Sequence, residues 1–443
     1  MFRRLVPALA LVVLTAGSAS AQSNVPDSAF WASFRWRNIG PANTEGRVTD
    51  IEGVPGTATF YVATVAGGIW KTINNGTTFR PLFQHQDVVS MGDIAIAPSN
   101  PDIVWAGTGE EDSRNSISPG GGVYKSTDGG LHWQFMGLKD TQAIGRIVID
   151  PTNPDIVYVA ALGHIWGPNK ERGLYKTTDG GKTWRNVKFI SDKAGFVDIA
   201  MDPQNHDVLF ASSWQRVRGP YFMTSGGPGS GLWKSTDAGE TWTEVKGGGF
   251  PSTNKGRIGI AIAHSNPQIM YALVEAEKGD VSKLSDDDKP TSGLMGSGLY
   301  RSEDGGSTWR FMNDRDTRPF YYSQVRVNPA DPNEVIWSST PVQLSRDGGK
   351  TVGTTTQGIH VDQHAMWWDT KNPQHFIVGD DGGVSVTWDR GGTFDFINTI
   401  PNSQFYEISY DMAIPYNVCG GLQDNGSWCG PSRRARGGID NHM

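Results

Sequence analysis

The amino-acid sequence predicts an all-β fold, a β-propeller of seven four-stranded blades with the start of an eighth unit. Three observations carry the prediction. A turn-forming phrase of the form Ser/Thr-x-Asp-x-Gly-x-Thr-Trp occurs seven times. Upstream of it recurs a second signal, strand then Pro/Asn turn then strand, so that each unit holds four strands. The composition, 56 Gly and 16 Trp among 443 residues with 37% hydrophobic, is the turn-rich, aromatic profile of a β chain rather than a helical one.

The phrase is clearest from Lys125 to Trp133 and returns at Thr177–Trp184, Ser235–Trp242 and Ser302–Trp309, with weaker forms at Thr72–Phe79, Ser345–Val352 and Thr387–Phe394. Its Asp position is filled by Asn74, Asp128, Asp179, Asp237, Asp304, Asp347 and Asp389, a period of about 40 to 65 residues that suits blade-like units. An apolar β-forming run such as Gly122-Val123-Tyr124 precedes it, and an aromatic closes it. Asp folds its carboxylate back onto nearby N–H groups, Gly takes positive φ without steric cost, and the closing ring is buried between units. These seven Asp residues are therefore read as structural, since a catalytic role would require seven equivalent active sites.

Taken in order, residues 1–21 form a secretory signal peptide: Arg3 and Arg4, the apolar run Leu5–Leu14, and small residues Ala19-Ser20-Ala21 before the expected cut. No Cys follows that site to carry a lipid, and no later apolar run is long enough to span a bilayer, so a secreted or periplasmic location without membrane insertion is expected. Residues 22–400 are assigned to the propeller, opening on a strand within Phe34–Pro41. Its inner hairpins read like Ile147–Ala160, matched by Ile94–Ala106, Ile199–Ala211, Ile260–Ala272, Val325–Ser338 and Met366–Gly379. The stretch Glu277–Ser297, with the charged run Lys283–Pro290, is a surface insertion; it lacks the Gly and terminal Glu of a calcium loop.

Residues 401–443 are read as the start of a further blade or as a closing segment. Phe405–Ser409 and Val418–Gly421 give two strands that either pair with the N-terminal strand or begin another unit of a longer protein. The second is preferred, because Arg433–Asp440 supplies no packing element. Cys419 and Cys429 leave a local disulfide and two free thiols equally open. A net charge of −7 argues against nucleic acid or an anionic membrane as partner.

The turns occupy one face, and the loops between second and third strands share the other. There the chemistry concentrates: Glu110, Glu111, Asp112 and Arg114; His164, Trp166, Lys170 and Arg172; Trp214, Arg216, Arg218 and Tyr221; Glu275; Asp380 and Asp381. Such a polar cup can stack sugars or grip a peptide. The candidate ligand-binding residues are Arg114, His164, Trp166, Arg172, Trp214, Arg216, Tyr221, His360, Asp362, His364 and Asp424, and the candidate catalytic carboxyls are Glu110, Glu111 and Asp381. In His360-Val361-Asp362-Gln363-His364, strand alternation would place His360, Asp362 and His364 on one side. Three successive same-face side chains span too far to grip one ion, so a hydrogen-bonded cluster at the channel mouth is expected, with no metal and no cofactor. Aligned first strands put Arg47, Asp93, Arg146 and Asp198 at equivalent places, predicting an alternating charge ring around the channel.

The turn phrase is similar to the Asp-box, or BNR repeat, and the chain resembles exported bacterial Asp-box propellers related to the sortilin N-terminal domain. The likeness runs from Trp36 to about Ser432. It includes Gly40-Pro41, Arg114-Asn115-Ser116, Glu171-Arg172-Gly173, His360–His364, Asp381-Gly382-Gly383 and Gly421–Gly426. The resemblance implies the fold and says little about function. Xyloglucanase-type glycoside hydrolases of related fold carry a catalytic Asp in a phrase resembling Tyr61–Lys71, where this chain has Val65, a residue unable to exchange a proton. Sialidases carry a Phe-Arg-Ile-Pro phrase that Phe34-Arg35-Trp36-Arg37 does not match. A photosystem assembly factor of similar fold is a third relative, without a sequence feature in its favour. The expected function is a binding or scaffold module that recognises a peptide, an exported protein or a glycan through the face opposite the turns. The alternative is a glycoside hydrolase-like enzyme acting on polysaccharide, which needs two carboxyls roughly 5–9.5 Å apart across a cleft.

Overall fold

The computed structural model describes residues 45–114, 116–278, 296–354 and 358–432. The signal peptide 1–21, the opening strand Phe34–Pro41, Asn115, the charged run Lys283–Pro290 and the tail Arg433–Asp440 lie outside the described residues. The regular secondary structure of the described residues is β-strand apart from one 3-10 turn at Lys139–Thr141.

Sheet one runs Val48–Gly53, Phe60–Thr64, Gly68–Thr72, Arg80–Pro81, an antiparallel meander in sequence order. Six further sheets repeat it, opening on Met91–Ile96, Ile144–Ile149, Ala194–Met201, Lys255–Ile262, Val325–Val327 and Gln363–Trp368. Each of these first strands touches the next, and Gln363–Trp368 touches Val48–Gly53, so the seven close a ring around an axis. Closure is by packing: Val48 and Ile51 share one core with Trp367 and Ile377. The other cores likewise lie between successive sheets, as where Tyr61, Ala63 and Ile69 meet Met91, Ile94 and Val104. Radial closure leaves few sheet edges bare.

Every Asp-box phrase is the turn between third and fourth strands. In sheet two, Ser126 Oγ donates to Asp128 Oδ1 at 2.8 Å and accepts from the Gly130 N–H at 2.8 Å, while Asp128 accepts from the His132 N–H at 2.9 Å. Gly129 and Gly130 supply φ of 68° and 92°. The same Ser/Thr-to-Gly bond recurs at Thr72, Thr177, Ser235, Ser302, Ser345 and Thr387. Hydrogen bonds from Thr183 hold the Asp179 carboxyl down at about 2, and those from Thr241 do so for Asp237, so both are charged acceptors within their turns at neutral pH.

A second fastener, absent from the sequence expectations, links neighbouring sheets. The residue just before the Ser/Thr is a lysine in four phrases. Lys71, Lys125, Lys176 and Lys234 donate to the carbonyls of Gly129, Gly180, Ala238 and Gly305 in the next sheet's turn, at 3.0, 3.4, 2.8 and 2.8 Å. Each ammonium also lies over an aromatic face of its own sheet, Tyr61, Trp105, Tyr158 or Phe210. The turns thus pin adjacent sheets together on one face and leave the opposite face to the longer loops.

After sheet seven comes a three-stranded sheet, Ser409–Tyr410, Asn417–Gly421 and Ser427–Pro431, one strand more than expected. Cys419 and Cys429 are cross-strand partners joined by a disulfide. Among the described residues this sheet pairs with none of the other seven, and the N-terminal strand Phe34–Pro41, with which the closing alternative would pair it, lies outside them.

Candidate functional site

Beneath the face opposite the turns lies a buried ionic floor. Its geometry begins at Gly109, whose φ of +89° turns the chain toward the axis and whose position would put a Cβ 1.8 Å from the Gln142 carbonyl. The loop that follows delivers Glu110, Glu111 and Asp112 to three cations. Arg47 Nε meets Glu110 Oε1 at 2.9 Å. Arg257 meets Asp112 at 2.5 Å and Glu111 at 3.3 Å. His364 is gripped from both sides, Nδ1 at 3.0 Å from Asp112 Oδ2 and Nε2 at 2.9 Å from Asp381 Oδ1. The Tyr321 hydroxyl accepts from Arg47 at 3.3 Å and Arg114 at 2.7 Å, and its carbonyl accepts from Arg257 at 2.9 Å.

Charge and burial compete at each member. Burial alone would lower the His364 pKa, but Asp112 and Asp381 outweigh it and push the imidazole up to about 10, so it is a cation at neutral pH. Burial likewise opposes ionisation of Asp381, yet His364 and Arg47 hold it at about 2, and Arg257 with His364 keeps Asp112 below the ordinary carboxylate range. Burial wins at Glu110, raised to about 7 against Arg47, and at Glu111, raised to about 8 with Asp112 repelling it.

The three candidate catalytic carboxyls are therefore corrected in their setting. Glu110, Glu111 and Asp381 are buried and bonded to cations, not paired across an open cleft. Three candidate ligand contacts share that fate. Trp214, Arg172 and Arg216 are fully buried. Arg172 ties down its own loop through the carbonyls of Leu162, His164 and Gly167, while Arg216 reaches Glu111 O and Ser113 Oγ. The expected common face of His360, Asp362 and His364 does not form, because the strand begins at Gln363 and Asp362 sits at φ 64°. His364 points into the floor, Asp362 accepts from Tyr322 and Arg318 above it, and His360 lies beside the backbone of Val361 and Asp424.

The expected channel ring holds in three of its four members. Arg146 pairs with Asp93 at 2.8 Å and Asp198 at 3.1 Å; the first-sheet member is Asp50, 3.5 Å from Arg146, and not Arg47. Register explains the slip. A bulge in each of these strands places Asp50 opposite Ala63, as Asp93 lies opposite Gly107 and Arg146 opposite Ala160, while Arg47 precedes the strand and reaches the floor. The Asp members also accept the next strands' amides: Ile94 N–H on Asp50, Ile147 N–H on Asp93 and Ile260 N–H on Asp198.

Above the floor the rim is aromatic. The second strand of sheet four, Leu209–Gly219, outruns its sheet and folds back as Phe222–Ser225, an extra hairpin with Tyr221 and Phe222 at its tip. Tyr221 is 98% exposed and Phe222 57%. The Arg218 N–H donates to the Ile165 carbonyl at 3.2 Å, which docks the hairpin against the loop bearing Trp166, 47% exposed. His164 caps Asp140 O in the same loop, and the Asp424 side chain is exposed beside Gln423. Of the predicted ligand-binding residues, Arg114, Trp166, Tyr221, Asp362, His360 and Asp424 remain at the surface side of the floor. Tyr321, Tyr322 and Arg257 were missed. Arg257 was legible, for Gly256-Arg257-Ile258 echoes Gly46-Arg47-Val48.

Comparison with known proteins agrees with this architecture. The model for Sortilin-Vps10, described as sortilin, neurotensin receptor 3, matches residues 121–249. A xyloglucanase of Hypocrea jecorina is 25% identical over 364 residues, 72% of this chain and 40% of that protein. A Paenibacillus xyloglucanase is 24% identical over 390 residues, 71% of this chain and 36% of that protein. The chain thus spans about two fifths of the length of these relatives. Among solved structures, the GH74 xyloglucanase from Xanthomonas campestris superimposes with a TM-score of 0.64 at 15% identity, covering 89% of this chain and 60% of that one. YCF48 bound to D1 peptide gives 0.51 at 13% identity, covering 80% of this chain and 98% of that one. The chain is a BNR-type propeller that resembles glycosyl hydrolases. Its sequence relatives favour the polysaccharide-hydrolase alternative over the binding-scaffold reading.

Proposed function

We propose that this chain is the sugar-binding propeller of an exported, glycoside hydrolase-like protein acting on polysaccharide, and that the polysaccharide lies on the rim opposite the Asp-box turns. One observation carries the reading: Trp166, Tyr221 and Phe222 stand exposed on two docked loops above a rigid ionic floor, in a fold whose sequence relatives are xyloglucanases. Exposed aromatic faces on a fixed scaffold are what stacking against pyranose rings requires, and clusters of them are unusual on a surface with no ligand. The floor supplies rigidity. Its ion pairs lock loops of sheets one, two, five and seven, and Arg216 and Arg218 tie the aromatic hairpin of sheet four to that floor through Glu111 O, Ser113 Oγ and Ser113 O, so the rim needs little ordering on binding.

Chemistry within this propeller is limited by two features. Val65, where the related hydrolases carry an Asp, is buried and apolar, and Glu110, Glu111 and Asp381 are buried against Arg47, Arg257 and His364. Asp362, between Tyr322 and Arg318, and the exposed Asp424 are carboxyls on the open side. Calorimetry with xyloglucan and β-glucan oligosaccharides tests the reading. Binding that falls at least tenfold in Tyr221→Ala and in Trp166→Ala supports it, and a reducing-end assay shows whether turnover accompanies binding. A peptide ligand is the second reading, supported by the likeness to YCF48 bound to D1 peptide. Peptide-array binding without any glycan binding would replace the first reading with the second.

A further inference from the structure

Among the described residues no carboxyl forms an ion pair with the Arg216 guanidinium, and Glu111 and Asp112 act on it only at longer range. Arg216 is 1% exposed, and its Nη1 donates to the Glu111 carbonyl at 2.6 Å and to Ser113 Oγ at 2.8 Å, both neutral oxygens. Its Nε and Nη2 are buried and have no acceptor. The Glu111 carboxyl, whose own backbone carbonyl Arg216 bonds, is turned to Arg257 at 3.3 Å. Next door Arg172, also wholly buried, spends its donors on three carbonyls and leaves its Nε without an acceptor.

An unmade hydrogen bond from a buried charged group costs more than one from a neutral group, and here two donors of one cation are idle. The burden is larger because like charges crowd the site: burial, then Arg172 and Arg257, push the Arg216 pKa down to about 9. Trp214 covers the guanidinium, its ring 5.2 Å from the Arg216 Cζ and 5.5 Å from that of Arg257, so approach is left in the plane. The unused donors are Nε and Nη2, the side-on pair that grips a carboxylate or a halide with two parallel N–H groups.

We propose that Arg216 holds a small monovalent anion, a halide or a carboxylate group, on its Nε/Nη2 edge, with Arg172 beside it as second cation. The site lies where the loop after Gly109, the loop bearing Arg172 and the hairpin strand Leu209–Gly219 meet, so the anion completes the floor under the aromatic rim. The inference stands apart from the glycan reading. A neutral sugar can bind the rim whether or not the edge is filled, and an anion can fill the edge of a protein that binds peptide.

The test uses the whole protein. Crystals soaked in sodium bromide are measured at the bromine edge, and thermal midpoints are recorded at fixed ionic strength in methanesulfonate, chloride, formate and galacturonate. A bromide peak on the Arg216 Nε/Nη2 edge, with a saturable rise of several degrees in chloride that Arg216→Lys abolishes, establishes a site for a free ion. Galacturonate that displaces bromide and stabilises where galactose does not identifies a sugar carboxylate as the source. If Arg216→Lys does not fold, the wild-type peak and the salt series decide alone. A bromide peak without saturable stabilisation means an adventitious ion only and overturns the proposal, as does a bridging water with equal midpoints in all four salts.

Discussion

Lys71 donates its ammonium to the carbonyl of Gly129, 3.0 Å away in the turn of the next sheet. The same reach recurs from Lys125, Lys176 and Lys234, so a repeated phrase that closes a hairpin within one sheet is also the socket for a cation from the sheet before it. Lys176 is the most fully enclosed, bonding Ala238 O at 2.8 Å and Glu240 at 2.7 Å over the ring of Tyr158. Lys176→Met keeps the stem and removes the donors. Urea unfolding should show a loss of about 1.5–3 kcal/mol, the range for hydrogen bonds to charged groups; an unchanged midpoint would make the ladder incidental.

Asp93 joins two strands more strongly. One oxygen accepts the Ile147 N–H at 2.7 Å and the other meets Arg146 at 2.8 Å, both out of water. Asp93→Ala orphans the buried Ile147 amide, a loss of about 1–3 kcal/mol, and also removes one of the three carboxyls facing Arg146, leaving Asp50 and Asp198. We expect Asp93→Ala to be the most destabilising single change in the channel, read as the thermal midpoint. Asp198→Ala should follow it, since Asp198 likewise accepts the Ile260 N–H.

The repeating parts of the molecule were legible in the sequence because each is a local event. Ser126, Asp128 and Gly130 lie within five residues and their bonds close on themselves, so the phrase announces the turn wherever it occurs. The floor was not legible, because Asp112 and His364 are separated by most of the chain and meet only after the ring closes. Asp50 was displaced by Arg47 in the predicted ring through a bulge that shifts the register, which alternation alone cannot reveal. The exposed hairpin was hidden for a different reason. Trp214, Arg216 and Tyr221 look alike as cup residues, and only the fold-back at Phe222–Ser225 sends two inward and one into solvent.

His364 makes the floor sensitive to alkali. Its folded pKa, about 10, lies above the ordinary value near 6.5, so the folded state binds the proton more tightly than the unfolded chain. The stabilisation is fully present below about pH 6.5 and is lost as pH rises through about 10. Asp381, held at about 2, acts in the opposite direction: its contribution is present above the ordinary carboxylate range and is lost as pH falls toward 2. A thermal midpoint that declines from pH 7 to pH 10 is expected, with the decline flattened in His364→Gln, whose amide is neutral throughout. An identical slope in the variant would remove His364 as the titrating group.

Asp316 should be a stability defect at neutral pH. It lies in the connection between sheets five and six, 9% exposed, with both carboxyl oxygens buried and without a hydrogen-bond partner. Burial raises its pKa well above the ordinary value, Glu275 adds repulsion, and Arg257 offsets only part. A carboxyl whose folded pKa is raised favours the folded state while protonated, and that advantage disappears as pH climbs from its unfolded value through its folded one. Asp316→Asn removes the titration and gives Glu275 an amide to accept from. The variant should therefore melt near the wild-type temperature at pH 4 and several degrees higher at pH 8. A lower midpoint at pH 8 would mean that the Asp316 carboxylate has a partner that offsets its burial.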